Sequence, residues 1–170
     1  QDGSIYLAAS SVGTGNNITS RIAVITPEND LRILSEGIDG NVDSIRLLDD
    51  NSGYVVSCSG DNIHCFDIKG QERWDISDVG CTDMCVAGDR LVVLTERNML
   101  VYDVSNGNLD ATISSFDGTM AEGLPETAAE KGKDSLSCSN IMKYDKGKDQ
   151  LYVVLNTGIF AYKLSDKLGT

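Results

Sequence analysis

The sequence is poor in proline, histidine, aromatic residues and basic charge. Its 170 residues include two prolines and one histidine, and aromatic residues make up 6%. The 14 Lys and Arg side chains stand against 26 Asp and Glu, which gives a net charge of -12. Contact with nucleic acid or with an anionic membrane needs clustered basic residues, so the composition argues against both. The apolar runs, such as 91–94 and 151–155, are too short to span a bilayer, so no transmembrane segment is expected.

The scarcity of histidine also argues against common catalytic schemes. Any Ser-His or Cys-His arrangement would have to use His64, which is adjacent to Cys65 in a strand-like run and poorly placed for a mobile base. The run Gly13-Thr14-Gly15 lacks the third glycine and the following helix of a phosphate-binding loop. We therefore expect no enzymatic activity, no catalytic residue and no cofactor.

Two oxygen-rich loops and the cysteines are the features of the sequence that could bind a metal. Loops 39–43 and 49–53 do not have the spacing of an EF-hand loop, so we interpret them as solvated turns, with calcium as the alternative. The five cysteines do not have zinc-site spacing, and their odd number cannot close into a complete set of internal disulfides. They are Cys58, Cys65, Cys81, Cys85 and Cys138.

The expected cellular compartment depends on whether these cysteines are free thiols or form disulfides. Most lie in apolar strand-like runs, where a free Cys behaves as a small hydrophobic residue. Free thiols indicate a reducing compartment, so a cytoplasmic or nuclear location is expected. The secretory-pathway lumen or the periplasm is the alternative.

Short strand-like runs separated by turn residues fill the chain and predict an all-β fold. Runs of four to seven residues rich in Val, Ile, Leu and Tyr alternate with turns such as Asn106-Gly107 and Gly88-Asp89. Four runs align as an internal repeat, and each is preceded by a second strand-like run. The four are 22–26, 63–67, 99–103 and 159–163.

The repeat predicts about four blades of about 40 residues, each with four antiparallel strands. The spacing before the fourth repeat is longer, which predicts an inserted loop over 114–137. We predict blades at 4–36, 42–77, 81–114 and 138–170.

The second repeat resembles the repeats of WD40 and quinoprotein-like (PQQ-type) β-propellers. It has a turn at Gly60-Asp61-Asn62, a strand ending in Phe66-Asp67, a turn at Lys69-Gly70, and Trp74 in the next strand. The third repeat keeps Asp103, whereas the fourth has Lys163 at that position. We interpret Asp67 and Asp103 as caps of the following turns, and Trp74 as a packing anchor between blades.

The resemblance implies a propeller that normally has six to eight blades, so we expect the chain to be part of a larger one. Further blades or a partner subunit are then expected to cover its apolar faces. The expected function is a non-catalytic protein–protein interaction scaffold whose acidic surface suits basic partners. An extracytoplasmic quinoprotein-like propeller, either an assembly factor or an enzyme fragment, is the alternative.

Candidate partner-binding residues lie in the inserted loop, because long loops in compact β folds are often functional. Two are apolar and two are charged. They are Met120, Leu124, Glu126 and Lys131.

Overall fold

The protein folds almost entirely into β-strands. The computed structural model describes residues 3–59, 61–95, 98–113, 119–120, 142–155 and 158–167. Their strands form four antiparallel sheets, which we number in chain order. The chain divides into two compact units, Gln1–Val79 and Gly80–Thr170, and each holds two sheets. The predicted all-β class with blade-like antiparallel units is thereby confirmed.

The first unit contains the first and second sheets, in which strands consecutive in the chain are neighbours. The strands of the first sheet are β1 (Ile5–Val12), β2 (Ile18–Ile25) and β3 (Leu31–Asp39). Those of the second sheet are β4 (Val42–Leu47), β5 (Gly53–Cys58), β6 (Asn62–Asp67) and β7 (Glu72–Ile76). Every residue of β5 is buried, which explains why Tyr54, Val55 and Val56 are apolar in succession, since a strand covered on both faces does not need to alternate.

The core of the first unit lies between its two sheets. Ile22 and Ile38 of the first sheet pack against buried residues of the second. The latter are Tyr54, Val56, Cys58 and Phe66. The Tyr54 and Phe66 rings stack with their centroids 5.3 Å apart. Side chains that face one another across two sheets thus supply the hydrophobic stabilisation of this unit.

A buried polar link also joins these two sheets. The Ser35 hydroxyl on β3 donates to the carbonyl oxygen of Gly70 over 2.8 Å. Ser35 Oγ also lies 2.8 Å from the Tyr54 hydroxyl. Because the Ser35 proton is used toward Gly70, the Tyr54 hydroxyl is the donor in the second bond. A side chain of the first sheet is therefore tied to the turn between β6 and β7 and to β5.

The second unit contains the third and fourth sheets. The strands of the third sheet are β8 (Asp83–Ala87), β9 (Arg90–Leu94), β10 (Met99–Asp103) and β11 (Leu109–Ile113). Those of the fourth sheet are β12 (Thr119–Met120), β13 (Met142–Asp145), β14 (Gln150–Leu155) and β15 (Gly158–Lys163). A short helix, α1 (Leu164–Lys167), follows β15. The order across the fourth sheet is β13, β14, β15, β12, so its outer strand comes from earlier in the chain than the other three.

The core of the second unit also lies between its two sheets. Val92, Leu94 and Val101 of the third sheet belong to the same buried cluster as Leu151 and Val153 of the fourth. The Asp83 carboxylate adds a polar link, since it accepts a hydrogen bond from the Met142 backbone N–H over 2.6 Å. It joins β8 to β13, each of which lies at one edge of its sheet.

The strand pairs expected from the repeat are present in all four sheets, with three differences in extent. β3 runs to Asp39, past residue 36 at the end of the range given for the first blade, and its pairing with β2 is irregular near Ile22. The first sheet has three strands among the described residues, against four in each of the others. β12 lies inside the segment interpreted as an inserted loop.

Candidate interaction surfaces

The aspartates that end the central strands of the second and third sheets cap turns, as the sequence predicted. Asp67 Oδ1 accepts hydrogen bonds from the backbone N–H groups of Gln71 and Lys69, over 2.9 and 2.8 Å. Asp103 Oδ1 accepts from the hydroxyl and the backbone N–H of Ser105. These bonds, led by Gln71 at Asp67 and by the Ser105 hydroxyl at Asp103, lower the pKa of both carboxyls. Both aspartates therefore serve the fold and are held ionised by it.

Arg90 organises the acidic residues at one end of the third sheet. Its Nε lies 3.1 Å from Asp110, and its terminal nitrogen lies 3.5 Å from Asp89 and 3.8 Å from Asp103. One guanidinium against three carboxylates leaves this end of the sheet with a net negative charge. A basic partner surface would be attracted to it.

His64 is held in the first unit by a carboxylate. Its Nδ1 lies 2.6 Å from Glu72 Oε1, and its ring stacks on Phe66 with centroids 6.1 Å apart. Its Nε2 is buried and has no hydrogen-bond partner among the described residues. Cys65 pairs across the sheet with Trp74 while His64 pairs with Asp75, and adjacent residues of a strand direct their side chains to opposite faces.

One of the oxygen-rich loops, 49–53, forms a tight turn, and the other, 39–43, connects the first sheet to the second. Asp50 Oδ1 accepts from the backbone N–H of Ser52 over 2.9 Å, and Asn51 has a φ of 58°. At the other loop, the backbone N–H of Gly40 donates to Ile18 over 2.9 Å. No group of three or more possible metal-ligating side chains occurs among the described residues. Within the same residues, no helix is long and apolar enough to cross a membrane.

Four of the cysteines lie in the described part of the chain, and none of these four forms a disulfide. Cys58, Cys65 and Cys85 are buried, and Cys81 is partly exposed. Burial raises the pKa of Cys58 and of Cys65 to about 11. Cys138 lies outside the described residues.

We expect Cys58 and Cys65 to be inert toward thiol reagents in the folded protein. The thiolate is the reactive species, and a pKa near 11 leaves on the order of one part in a thousand ionised at pH 8. Titration with a chromogenic disulfide should leave both unmodified for hours without denaturant and modify both within minutes in guanidinium. Mass spectrometry of tryptic peptides assigns the sites. Rapid native modification of Cys58 would contradict the buried position.

The first sheet carries a broad exposed apolar face. Two rows cross its three strands: Ile5, Ile25 and Leu31 pair in one row, and Leu7, Ala23 and Ile33 pair in the other. The four residues on β1 and β3 are between 41% and 66% exposed. We call these six residues the outer face of the first sheet. Exposed apolar patches of this kind mark interaction surfaces on soluble proteins.

The internal repeat shows how such a face is normally used. By the alignment of 22–26 with 63–67, Ile5 and Leu7 correspond to Tyr54 and Val56. In the second sheet both of these residues are fully buried, in the core that the first sheet covers. The outer face of the first sheet thus has the pattern of a surface made to pack against another sheet.

The outer strand of the first sheet, β3, is apolar at two positions where the outer strand of the second sheet, β7, is charged. Leu31 and Ile33 on β3 occupy the places that Glu72 and Asp75 occupy on β7. The next row holds Arg21, whose guanidinium lies 3.8 Å from the Glu36 carboxylate. An apolar centre with charged groups at its border is the usual anatomy of a protein interface.

The outer face of the first sheet is not among the predicted sites, although the sequence carries part of the signal for it. Ile5 and Leu7, and likewise Leu31 and Ile33, are two apart, so each pair lies on one side of its strand. The cross-strand register that brings the pairs together depends on the long turn 13–17 and on the irregular pairing of β3. Neither can be derived from spacing alone.

Of the predicted partner-binding residues, Met120 is the one that the structure describes. It lies in β12, opposite Phe160 of β15. Leu124, Glu126 and Lys131 lie outside the described residues. Trp74 is half-buried and lies on β7, and its assignment as an anchor between blades stays a prediction.

Solved structures with this arrangement of sheets are β-propellers. The β-propeller domain of Cps50 (Swd1) from Myceliophteria thermophila superposes with a TM-score of 0.64 at 12% identity, over 97% of this chain and 55% of that one. The C-terminal WD40 domain of Sif2 gives 0.56 at 10% identity, over 86% and 54%. BamB from Moraxella catarrhalis gives 0.53 at 13% identity, over 97% and 61%.

These likenesses establish a fold class. The protein has the β-propeller fold, and both WD40 and quinoprotein-like propellers resemble it, as the second repeat predicted. The chain spans between half and two thirds of the length of these structures. No protein-family model matches the sequence, and no curated protein does so either.

Proposed function

We propose that this protein is a non-catalytic protein–protein interaction scaffold, and that the outer face of the first sheet is where it holds a partner. The observation that carries the proposal is the exposure of Ile5, Leu7, Leu31 and Ile33 together on one side of a sheet. Burying such side chains stabilises an association by the hydrophobic effect. The partner surface that fits is itself an apolar β-sheet face, because the equivalent face of the second sheet packs against a sheet.

The charge of the chain supports a basic partner. A net charge of -12 raises the rate of encounter with positively charged proteins and repels acidic ones. The three carboxylates around Arg90 give one end of the third sheet a negative charge, and this end is where a positively charged partner would be attracted. The buried cysteines Cys58, Cys65 and Cys85 form no disulfides, which supports a reducing compartment, that is, the cytoplasm or the nucleus.

Placing charges on the outer face is expected to prevent association through it. In Leu31→Asp/Ile33→Asp, two carboxylates would have to lose water on contact with an apolar partner, which costs several kcal/mol. The isolated parent chain is expected to self-associate at micromolar concentration through this face. The apparent mass from light scattering should fall to that of a monomer in the variant.

Leu109→Asp is the matched control. Leu109 lies on β11, the outer strand of the third sheet, and is 53% exposed, so the substitution has the same chemistry at a comparable exposure. The control should associate like the parent. A monomeric parent chain, or equal loss of association in the control, would contradict the assignment of this face.

The partner itself can be sought by site-specific photo-crosslinking in cells of the source organism. A photoreactive residue at position 33 should capture one protein that the same residue at position 109 does not. Capture of identical proteins from both positions would count against a specific partner.

A further inference from the structure

The two pairs of packed sheets use the same position to cover the next sheet. The alignment of the repeats places Ile22 of the first sheet, Met99 of the third and Ile159 of the fourth at the start of their runs. Ile22 is fully buried in the cluster between the first and second sheets. Met99 is fully buried in the cluster between the third and fourth sheets. At this position, therefore, a sheet covers the sheet that follows it in the chain.

The side that is covered also consists of aligned positions. Val56 of the second sheet and Val153 of the fourth are fully buried in these two clusters. Each pairs with the second residue of its aligned run, and Leu7 of the first sheet does the same. Leu7 is nevertheless 41% exposed. The first sheet thus has the pattern of a covered sheet, although no sheet of the described residues covers its outer face.

The fourth sheet presents a covering position on the side away from the third. Ile159 pairs with Val154 between β15 and β14, and Ala161 lies two residues further on the same side of β15. All three side chains are only partly buried, whereas the aligned Ile22 and Met99 are fully buried. We call Val154, Ile159 and Ala161 the covering face of the fourth sheet. Because none of the three is charged, they can lose water against an apolar surface without the cost of burying a charge.

We propose that the fourth sheet of a second copy of this chain covers the outer face of the first sheet, so that two copies associate head to tail. The inference rests on the proposed function, because it names what occupies that face. The contact repeats the one that the first sheet makes with the second and the third with the fourth. Two copies that form it in both directions bring eight sheets together, within the range of propeller blades.

The length of the chain supports two copies as the unit. It spans 55% of the Cps50 propeller and 54% of the Sif2 propeller, so two copies have about the length of one such domain. A basic partner is drawn instead to the end of the third sheet around Arg90, because the outer face of the first sheet and the covering face of the fourth are uncharged.

The salt dependence of the association separates these two kinds of partner. Two copies that each carry a net charge of -12 repel one another, and salt screens the repulsion. The Kd for self-association, measured by sedimentation velocity, should therefore fall by about threefold between low and physiological ionic strength. Self-association that weakens as salt rises would contradict a contact between two uncharged faces.

The main experiment mixes two variants that cannot associate alone. Leu31→Asp/Ile33→Asp blocks the outer face of the first sheet, and Val154→Asp/Ala161→Asp blocks the covering face of the fourth, so each should sediment as a monomer. Each variant keeps the face that the other lacks, so a head-to-tail contact can form between them. The equimolar mixture should regain the mass of two copies, at a concentration about tenfold higher than the parent requires, since one contact replaces two.

Photo-crosslinking tests the same contact without charged substitutions in the fourth sheet. A photoreactive residue at position 7 should link to the peptide that contains Ile159. Mixing chains labelled with nitrogen-15 and unlabelled chains shows that the link joins two copies. The same residue at position 109 is the control and should not give this link. Circular dichroism of the Val154→Asp/Ala161→Asp variant shows whether its strands are intact.

The outcomes separate this inference from the proposed function. If folded Val154→Asp/Ala161→Asp associates like the parent while Leu31→Asp/Ile33→Asp is a monomer, the outer face holds a partner other than the fourth sheet, and only this inference is wrong. A monomeric mixture of the two folded variants, or a link from position 7 to β1 or β3 of the second copy, would overturn it in the same way. A monomeric parent chain would contradict both proposals.

Discussion

Gly70→Ala is expected to lower the free energy of unfolding of the first unit by about 4 kcal/mol, as a backbone strain and a direct overlap act together. Gly70 has a φ of 88°, where a residue with a Cβ is strained. A Cβ at this position would overlap the carbonyl group of Leu34 and would lie 2.9 Å from Ser35 Oγ. The turn would have to move away from β3, and the hydrogen bond from Ser35 to Gly70 would be lost.

Gly37→Ala is the control that separates the two effects. Gly37 lies on β3 in the same unit and has a φ of 74°, but a Cβ there would meet nothing within 4 Å. Its substitution should cost about 1 kcal/mol, from the backbone conformation alone. Urea unfolding followed by the fluorescence of Trp74, the only tryptophan and a residue of the first unit, measures both variants. Equal costs would show that the approach of Gly70 to β3 is not tight.

The strands and their turns were predictable because their causes are local. Alternating and continuous apolar runs fix which residues extend, and a turn residue such as Gly88 or Gly107 with positive φ marks where the chain reverses. Asp67 was assigned correctly because an aspartate caps backbone groups only two and four residues further on. The order of the strands in the second and third sheets then follows from short connections.

The contacts that join sheets were not predictable, because their partners are far apart in the sequence. Ser35 meets Gly70, and β12 reaches β15 across two intervening strands. The outer face of the first sheet depends on the same kind of information, namely which rows of side chains the register aligns. The sequence shows apolar residues two apart on β1 and on β3. It does not show that the two pairs lie side by side on one face of the sheet.

Asp83 is the clearest of these long-range contacts, and its loss is expected to destabilise the second unit by about 3 kcal/mol. Its side chain accepts the backbone N–H of Met84 over 2.8 Å and that of Met142 over 2.6 Å, and the residue is only 8% exposed. Bonds from N–H groups to a charged acceptor contribute about 1.5–3 kcal/mol each, and unsatisfied buried donors are costly. Asp83→Ala removes the acceptor and leaves two donors without it.

Asp83→Asn should lie between the parent and Asp83→Ala, at a cost of about 1–2 kcal/mol. The amide oxygen can still accept one of the two N–H groups, but the amide nitrogen would oppose the other. Thermal unfolding measured by circular dichroism gives the order of stability, and hydrogen exchange at Met142 locates the change. Asp43→Ala, at an exposed position on β4, should change stability by less than about 0.5 kcal/mol. If Asp83→Ala were as mild as Asp43→Ala, the carboxylate would not be what holds β13 to β8, and apolar packing between the third and fourth sheets would have to be sufficient.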